Sequence, residues 1–273
     1  VSHLTKRYGN HLALSDLSFT IPNGQIYGLL GPNGAGKSTT MNILTGCLAA
    51  TSGEVRIDGV DIFEDPMAAK RHLGYLPEQP PVYMDRTPWE YLRFVARAKG
   101  VKNLAQEVDR VMDLTQIADV RDRLIRNLSK GYRQRVGIAR AIALHPQFVV
   151  CDEPVSALDV SIQAQVINLM QDIKEQYDLS YMFISHDLRI IKHFCDRVMV
   201  MYLGNVVEIG TKEAIYEKRL HPYTQALLSA IPNIKEQGKS QRIILTGDIP
   251  SPVNPPSGCP FHPRCRYCMD ICK

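Results

Sequence analysis

Nine residues constrain this chain more than any others: Gly31-Pro32-Asn33-Gly34-Ala35-Gly36-Lys37-Ser38-Thr39. They fit the pattern G-x-x-x-x-G-K-[ST], with a third glycine inside it. The apolar run before them, Ile26-Tyr27-Gly28-Leu29-Leu30, reads as a buried strand, and residues 40–46 read as a helix. Strand, glycine loop and helix in that order turn the pattern into a phosphate cradle. Glycines let backbone N–H groups turn inward, and the helix N-terminus adds partial positive charge. Lys37 is then placed to reach the β- and γ-phosphates, and the Ser38 hydroxyl to hold Mg²⁺. A glycine-rich turn that binds nothing is the plain alternative, and it leaves the strand, the Lys-Ser pair and the helix unexplained. The predicted ligand is a nucleoside triphosphate.

The rest of the chain must supply the machinery. Its 273 residues, 45% hydrophobic and 22% charged, have ordinary globular composition. That length suits one large α/β domain with an appendage, or two small domains. A net charge of +4 is too weak to argue for nucleic acid. No run of 18 apolar residues occurs, so no membrane span is predicted. The start lacks a basic region followed by an apolar core, so no secretory signal is predicted. The chain opens at Val1, inside a strand-like segment, which predicts a fragment or a trimmed chain. Of seven cysteines, four crowd the last fifteen residues. Cys47, Cys151 and Cys195 sit among apolar residues and are predicted to be buried thiols of a reducing compartment.

Taken in order, residues 1–24 read as two strands bending at Tyr8-Gly9-Asn10. Tyr8 either stacks on a base or is an ordinary surface or core tyrosine. Residues 53–59 alternate like one strand ending in a turn, and 73–79 read as a short strand running into a proline-marked loop. Thr87-Pro88-Trp89-Glu90 is a helix start: Thr as N-cap, Pro first, Glu completing a capping box. Trp89, Leu92, Val95 and Ala96 follow at helical spacing, and 104–114 read as a second helix. Residues from about 85 to 128 are therefore a helical insertion in an α/β core. Residues 129–144 read as another helix. Phe148-Val149-Val150-Cys151 is bare and apolar, as a central parallel strand should be. An apolar stripe over 162–173 predicts a helix, 181–185 a buried strand, and 197–210 a hairpin turning at Gly204-Asn205. Strands alternating with helices imply a mostly parallel sheet covered on both faces. Residues 223–230 read as a short helix. Residues 250–263 hold six prolines and little periodicity.

The apolar run at 148–151 ends in Asp152-Glu153, a Walker B arrangement. Carboxylates at the C-terminal end of a parallel strand face the ligand crevice. Asp152 suits the metal's water shell, and Glu153 suits the base that deprotonates the attacking water. The plain alternative is two surface carboxylates at a strand end. Leu128-Ser129-Lys130-Gly131-Tyr132-Arg133-Gln134 is similar to the signature motif of the ABC-transporter ATPase family, with Lys130 where that family has glycine. The family's other motifs follow in order: Gln79 matches the Q-loop, Ser156-Ala157-Leu158-Asp159 the D-loop and His186 the switch histidine. Together the matches cover about residues 3–210.

The resemblance implies an α/β phosphate-loop fold: a mostly parallel core sheet, an N-terminal antiparallel part, a helical insertion and a small C-terminal extension. Residues 1–220 would be the nucleotide-binding domain, with a helical subdomain at about 85–145, and 221–273 the extension. It implies ATP hydrolysis by two such domains paired head to tail. Each ATP would lie between residues 31–39 of one copy and Ser129, Gly131 and Gln134 of the other. Tyr8 would meet the base, Asp159 would lie at the shared interface, and His186 would hold the γ-phosphate and the water. Ser38, Gln79 and Asp152 would hold Mg²⁺. Partners would be a second ATPase subunit, transmembrane permeases and an extracytoplasmic peptide-binding protein, with the chain peripheral on the cytoplasmic face of the membrane and no nucleic acid involved. Pro80-Pro81-Val82-Tyr83 either touches the permeases or tucks into its own domain.

The first half, with Leu76 to Tyr83 and the signature stretch, resembles exporter-type ATPases of the gliding-motility and drug-efflux kind. The second half resembles oligopeptide/dipeptide importer ATPases through Glu153-Pro154-Val155-Ser156-Ala157-Leu158-Asp159-Val160-Ser161 and His221-Pro222-Tyr223-Thr224-Gln225-Ala226-Leu227-Leu228. The ending Gly258-Cys259-Pro260-Phe261-His262-Pro263-Arg264-Cys265 resembles that subfamily's C-terminal extension. The more distinctive tail favours peptide import. An exporter ATPase is the alternative, and a soluble ABC-type ATPase a further one. Cys259, Cys265, Cys268 and Cys272 are spaced closely enough to bind zinc or an iron–sulfur cluster. In the importer family the extension resembles a [4Fe–4S] site on cysteines matching Cys259, Cys265 and Cys272, with a fourth further downstream. Cys268 stands where that family has alanine, so either it substitutes or the site is incomplete. Free thiols or a disulfide are the alternatives.

Overall fold

The computed structural model describes residues 1–231 and 242–273, so residues 232–241 of the expected extension lie outside the described part. Two compact units divide the chain. One comprises Val1–Thr20, Ile26–Val55 and Ile184–Lys273; the other comprises Ile21–Gln25 and Arg56–Phe183.

The first unit opens with β1 (Ser2–Tyr8), β2 (His11–Leu17), β3 (Ile26–Leu30), α1 (Lys37–Leu44) and β4 (Ser52–Glu54). The chain turns between Tyr8 and His11 and pairs β1 with β2 antiparallel, and β1 also pairs antiparallel with β4. Leu4, Leu14 and Leu17 close the core of this small sheet. β3 is buried at all five positions. A strand covered on both faces needs no polar alternation, which is why its sequence reads as an unbroken apolar run.

The second unit runs through β5 (Arg56–Ile57), β6 (Val60–Asp61), α2 (Pro66–Arg71), β7 (Leu73–Leu76), α3 (Pro88–Ala98), α4 (Leu104–Leu114), α5 (Lys130–Ile142), β8 (Phe148–Asp152), α6 (Val160–Tyr177) and β9 (Ser180–Ile184), whose last residue belongs to the first unit. Strands β7 and β8 pair in parallel, from Leu73 opposite Phe148 to Leu76 opposite Cys151. The expected capping box is formed: the Glu90 N–H donates to Thr87 Oγ1 at 3.2 Å, and the Thr87 N–H donates to Glu90 Oε2 at 3.0 Å. Leu92, Val95 and Ala96 of α3 then face inward. Trp89 lies under two guanidinium groups, those of Arg93 and Arg121, each 5.0 Å from its ring.

The first unit resumes with α7 (Leu188–Phe194), β10 (Arg197–Tyr202), β11 (Asn205–Thr211) and α8 (Pro222–Leu228). β10 pairs in parallel with β3 and antiparallel with β11, so β3, β10 and the hairpin form one side-by-side set.

Several expectations change. The single strand predicted over 53–59 is broken at Val55: β4 pairs with β1, whereas β5 pairs with β6. Gly53 sits at a φ of 95° against the carbonyl of His3, and a positive φ at Asp58 turns the chain again. The short helices α2 and α7 have too few residues for an apolar period, and only their Asp65 and Asp187 N-caps, with Pro66 at the first position of α2, mark them. Cys47 is exposed, because it follows the turn that ends α1; Cys151 and Cys195 are buried as expected. Burial pushes the Cys195 thiol far above its ordinary value, Asp196 adding to this and Lys212 opposing it, so this thiol is unreactive.

Candidate functional site

In the first unit the phosphate loop springs from the end of β3. Close backbone approach explains its first glycine: a Cβ at Gly31 would lie 2.5 Å from the Met201 carbonyl oxygen on β10. Gly36, the N-cap of α1, sits at a φ of 101°, where an L-residue is strained, and a Cβ there would meet Leu14 at 2.6 Å. Gly36 has no side-chain oxygen to cap the first turn of α1, which leaves that helix end suited to an anion. The Lys37 ammonium folds back along the loop and donates to the carbonyls of Gly31 at 2.7 Å and Pro32 at 3.0 Å. The loop is braced from the turn between β10 and β11, since the Gly204 N–H donates to the Ala35 carbonyl at 3.0 Å. Ser38 is exposed at the start of α1, and Tyr8, the last residue of β1, is 47% exposed. His186 is exposed just ahead of α7, whose N-cap Asp187 accepts from the Arg189 N–H at 2.8 Å. Burial pulls the Asp187 carboxyl up, but hydrogen bonds from the Arg189 side chain and backbone hold it below the ordinary carboxylate range.

The second unit holds the carboxylates. Val149, Val150 and Cys151 are fully buried, so β8 is fixed in the core and delivers Asp152 and Glu153 at its end. Glu153 has a φ of 44°, an unfavourable backbone for a non-glycine residue. The turn that follows is tied by the Ser156 N–H to the Glu153 carbonyl at 3.1 Å. The Ser156 hydroxyl donates to Glu78 Oε1 at 3.3 Å, which links the D-loop to the residue before Gln79. Gln79 itself is exposed.

Ser129 caps α5, its oxygen accepting from the Tyr132 N–H at 3.3 Å. Asp159 caps α6, accepting from the Ile162 N–H at 3.0 Å. The first turns of α5 and α6 meet where Gly131 leaves room for Ile162, which a Cβ would meet at 2.7 Å. Lys130 is exposed, whereas Gln134 is buried inside the unit, with its Nε2 unpartnered among the described residues. Sequence patterns do not find the Glu78–Ser156 bond or the strained backbone of Glu153, because neither leaves a spacing signal.

In the tail, the Cys259 N–H donates to the Cys272 carbonyl at 2.9 Å and closes the cysteine-rich segment on itself. The Cys268 thiol is raised by burial, then by the neighbouring Cys272 and Cys265. Among the described residues, however, no group of three or more His, Cys, Asp or Glu side chains is placed to hold a metal ion. The expected cluster or zinc site on the four cysteines is therefore not supported by their arrangement. Ser38 in the first unit, and Gln79 and Asp152 in the second, each carry an oxygen of the kind that Mg²⁺ takes: a hydroxyl, an amide and a carboxylate oxygen.

A glycine loop on a buried strand, with a lysine folded back along it at the start of a helix, defines a phosphate-binding loop of the nucleoside triphosphatase kind. A family model described as ABC transporter matches residues 14–156, and one described as Oligopeptide/dipeptide transporter, C-terminal region, matches residues 207–272. The dipeptide transport ATP-binding protein DppF of Escherichia coli is 43% identical over 95% of this chain and 81% of its own length. The oligopeptide transport ATP-binding protein AppF of Bacillus subtilis is 38% identical over 98% of this chain and 85% of its own. Among solved structures, cbiO1 from Clostridium perfringens, described as part of the ABC transporter complex cbiONQ, superposes with a TM-score of 0.74 at 25% identity, covering 80% of this chain and 90% of that one. The chain belongs to the ATP-hydrolysing ABC transporter family, with the C-terminal region of its oligopeptide/dipeptide branch.

Proposed function

We propose that this chain is the ATP-binding and ATP-hydrolysing subunit of a transporter that imports peptides. The observation that carries the reading is the joint presence of the phosphate loop and a C-terminal region matched over residues 207–272. The relatives named for dipeptide and oligopeptide transport align through both halves of the chain, including the half with exporter-like motifs. No helix of the described residues is long and apolar enough to cross a membrane, so membrane attachment falls to permease subunits, on whose cytoplasmic side the chain would sit. An extracytoplasmic peptide-binding protein would deliver the cargo.

In this reading residues 1–220 are the ATPase and residues 221–273 the extension. Lys37 and the loop N–H groups of residues 31–39 bind the phosphates, and Tyr8 stacks on the base. Bound Mg²⁺ supplies charge neutralisation at the β- and γ-phosphates, and Ser38, Gln79 and Asp152 are its oxygen donors. Glu153 takes a proton from the attacking water, and His186 orients that water against the γ-phosphate. Ser129, Gly131 and Gln134 belong to the signature that completes a partner's ATP site, with Asp159 at the shared interface. Tyr83 and Met84, just before the helical insertion, and Phe94 on its first helix are exposed, with the Tyr83 and Phe94 rings 5.6 Å apart, and supply the permease contact.

The tail cysteines enter this reading through spacing alone, as a candidate [4Fe–4S] or zinc site. Iron, sulfide and zinc analysis of anaerobically purified protein decides it, and a colourless, metal-free product overturns it. The import reading is tested by purifying the chain with the permeases encoded beside its gene and reconstituting them in vesicles. Peptide-stimulated hydrolysis with inward movement of labelled dipeptide is expected. A single polytopic partner and outward movement would favour an exporter.

A further inference from the structure

One contact in the first unit joins residues 241 positions apart: the ring of His11 and the carbonyl of Pro252, at 2.5 Å. A prolyl carbonyl only accepts, so Nδ1 of His11 carries the proton and donates. The ring of His11 also stacks on Tyr8, with centroids 6.4 Å apart and planes 16° apart. Pro252 reaches the phosphate loop too: its Cγ lies 3.9 Å from where a Cβ on Gly34 would stand. A single tail residue therefore lies beside the glycine loop and is bonded to the histidine that stacks on Tyr8.

The tail is held from the other side by Phe261, which is 1% exposed. Its ring packs against Tyr202 at 5.3 Å, Tyr223 at 5.5 Å and His221 at 5.7 Å. Tyr202 ends β10, two residues before the Gly204 N–H that braces the loop through Ala35. The anchor is an aromatic cluster buried against β10. The latch is one hydrogen bond between half-exposed groups, followed by a turn in which the Asn254 N–H donates to the Ser251 carbonyl at 3.2 Å and Val253 is 64% exposed. Such a segment is firmly attached at one end and weakly at the other, so it opens locally before the unit unfolds.

We propose that the C-terminal extension is a strap across the rim of the nucleotide loop, latched by His11 to Pro252, and that its release sets the rate of nucleotide exchange. The proposal rests on the reading of Tyr8 and residues 31–39 as the nucleotide site. A nucleotide whose base stacks on Tyr8 and whose phosphates meet the loop leaves past Pro252. The latch is a positioning contact, and its loss changes release more than it changes the loop.

The test is stopped-flow release of the fluorescent nucleotide mant-ADP from the full chain, chased by excess ADP. His11→Phe keeps a ring against Tyr8 but has no donor, and His11→Asn keeps an N–H near the position of Nδ1. Release is expected to speed up about 2- to 10-fold in His11→Phe, the range that loss of one hydrogen bond allows, and to stay near wild type in His11→Asn. Amide exchange at residues 253–254 should quicken in His11→Phe alone. Pro252→Gly, which removes the ring beside Gly34 without touching the buried core, should also speed release and covers the case in which His11→Phe does not fold. Unchanged release in both His11→Phe and Pro252→Gly overturns the strap. Failure of the wild-type chain to bind mant-ADP at equilibrium would instead refute the nucleotide-site reading.

Discussion

Glu153 shows how much a single residue carries. Its carboxylate stands at the end of a buried strand, and its backbone is held at a φ of 44°. Such a conformation costs about 1–3 kcal/mol and persists only where the surroundings enforce it. Here β8 fixes one side, and the Ser156 N–H, bonded to the Glu153 carbonyl, fixes the other. Glu153→Gln preserves the shape and removes the base. Turnover should fall about 10²- to 10⁴-fold while ATP binding is retained. Steady-state hydrolysis beside equilibrium nucleotide binding checks this, and normal turnover in the variant would sink the role. The identity of Glu153 as a candidate base was legible from an apolar run ending in two carboxylates. Its strained backbone was not, because dihedral angles leave no trace in residue order.

Among the elements, α8 carries a pH dependence of its own. His221 is its N-cap, and Nδ1 accepts from the Tyr223 N–H at 3.1 Å, so the cap needs the neutral ring. Burial lowers the pKa of His221, with Glu208 opposing; the Glu208 carboxylate accepts from the backbone N–H groups of Leu220 and His221, both at 3.0 Å. A lowered folded value means that the folded form binds fewer protons than the unfolded chain below the ordinary value of about 6.5. The contribution is therefore complete above that pH and is lost as pH falls through the folded value. Amide exchange in Pro222–Leu228 should quicken on acidification through this window. In His221→Asn, which caps without titrating, the dependence should flatten; an unaltered profile in that variant would exclude His221 as its source. Element starts of this kind were partly legible. The Thr87 capping box was read directly from Thr-Pro-x-Glu, whereas α2 and α7 were missed because six or seven residues are too short for a helical period.

For the whole molecule, the proposed function gives the exposed Ser129 and the exposed phosphate-loop Ser38 each one half of a two-copy site. Hydrolysis per chain should therefore rise with protein concentration and level off as pairs form. A linear dependence of total rate on concentration down to the dilute limit, with a monomer in sedimentation, would show that one copy suffices. The sequence by itself determined the parts list: a phosphate loop, strand-end carboxylates, a signature motif and a branch-specific tail. Each of these is written in residues close together in the chain, where spacing and period carry the information. Only the tertiary structure decided which distant parts meet. It seated Gly131 against Ile162, bonded Ser156 to Glu78, buried Gln134, and brought Pro252 to His11 beside the phosphate loop. Those outcomes depend on close packing and hydrogen-bond satisfaction between segments tens to hundreds of residues apart, for which no local pattern exists.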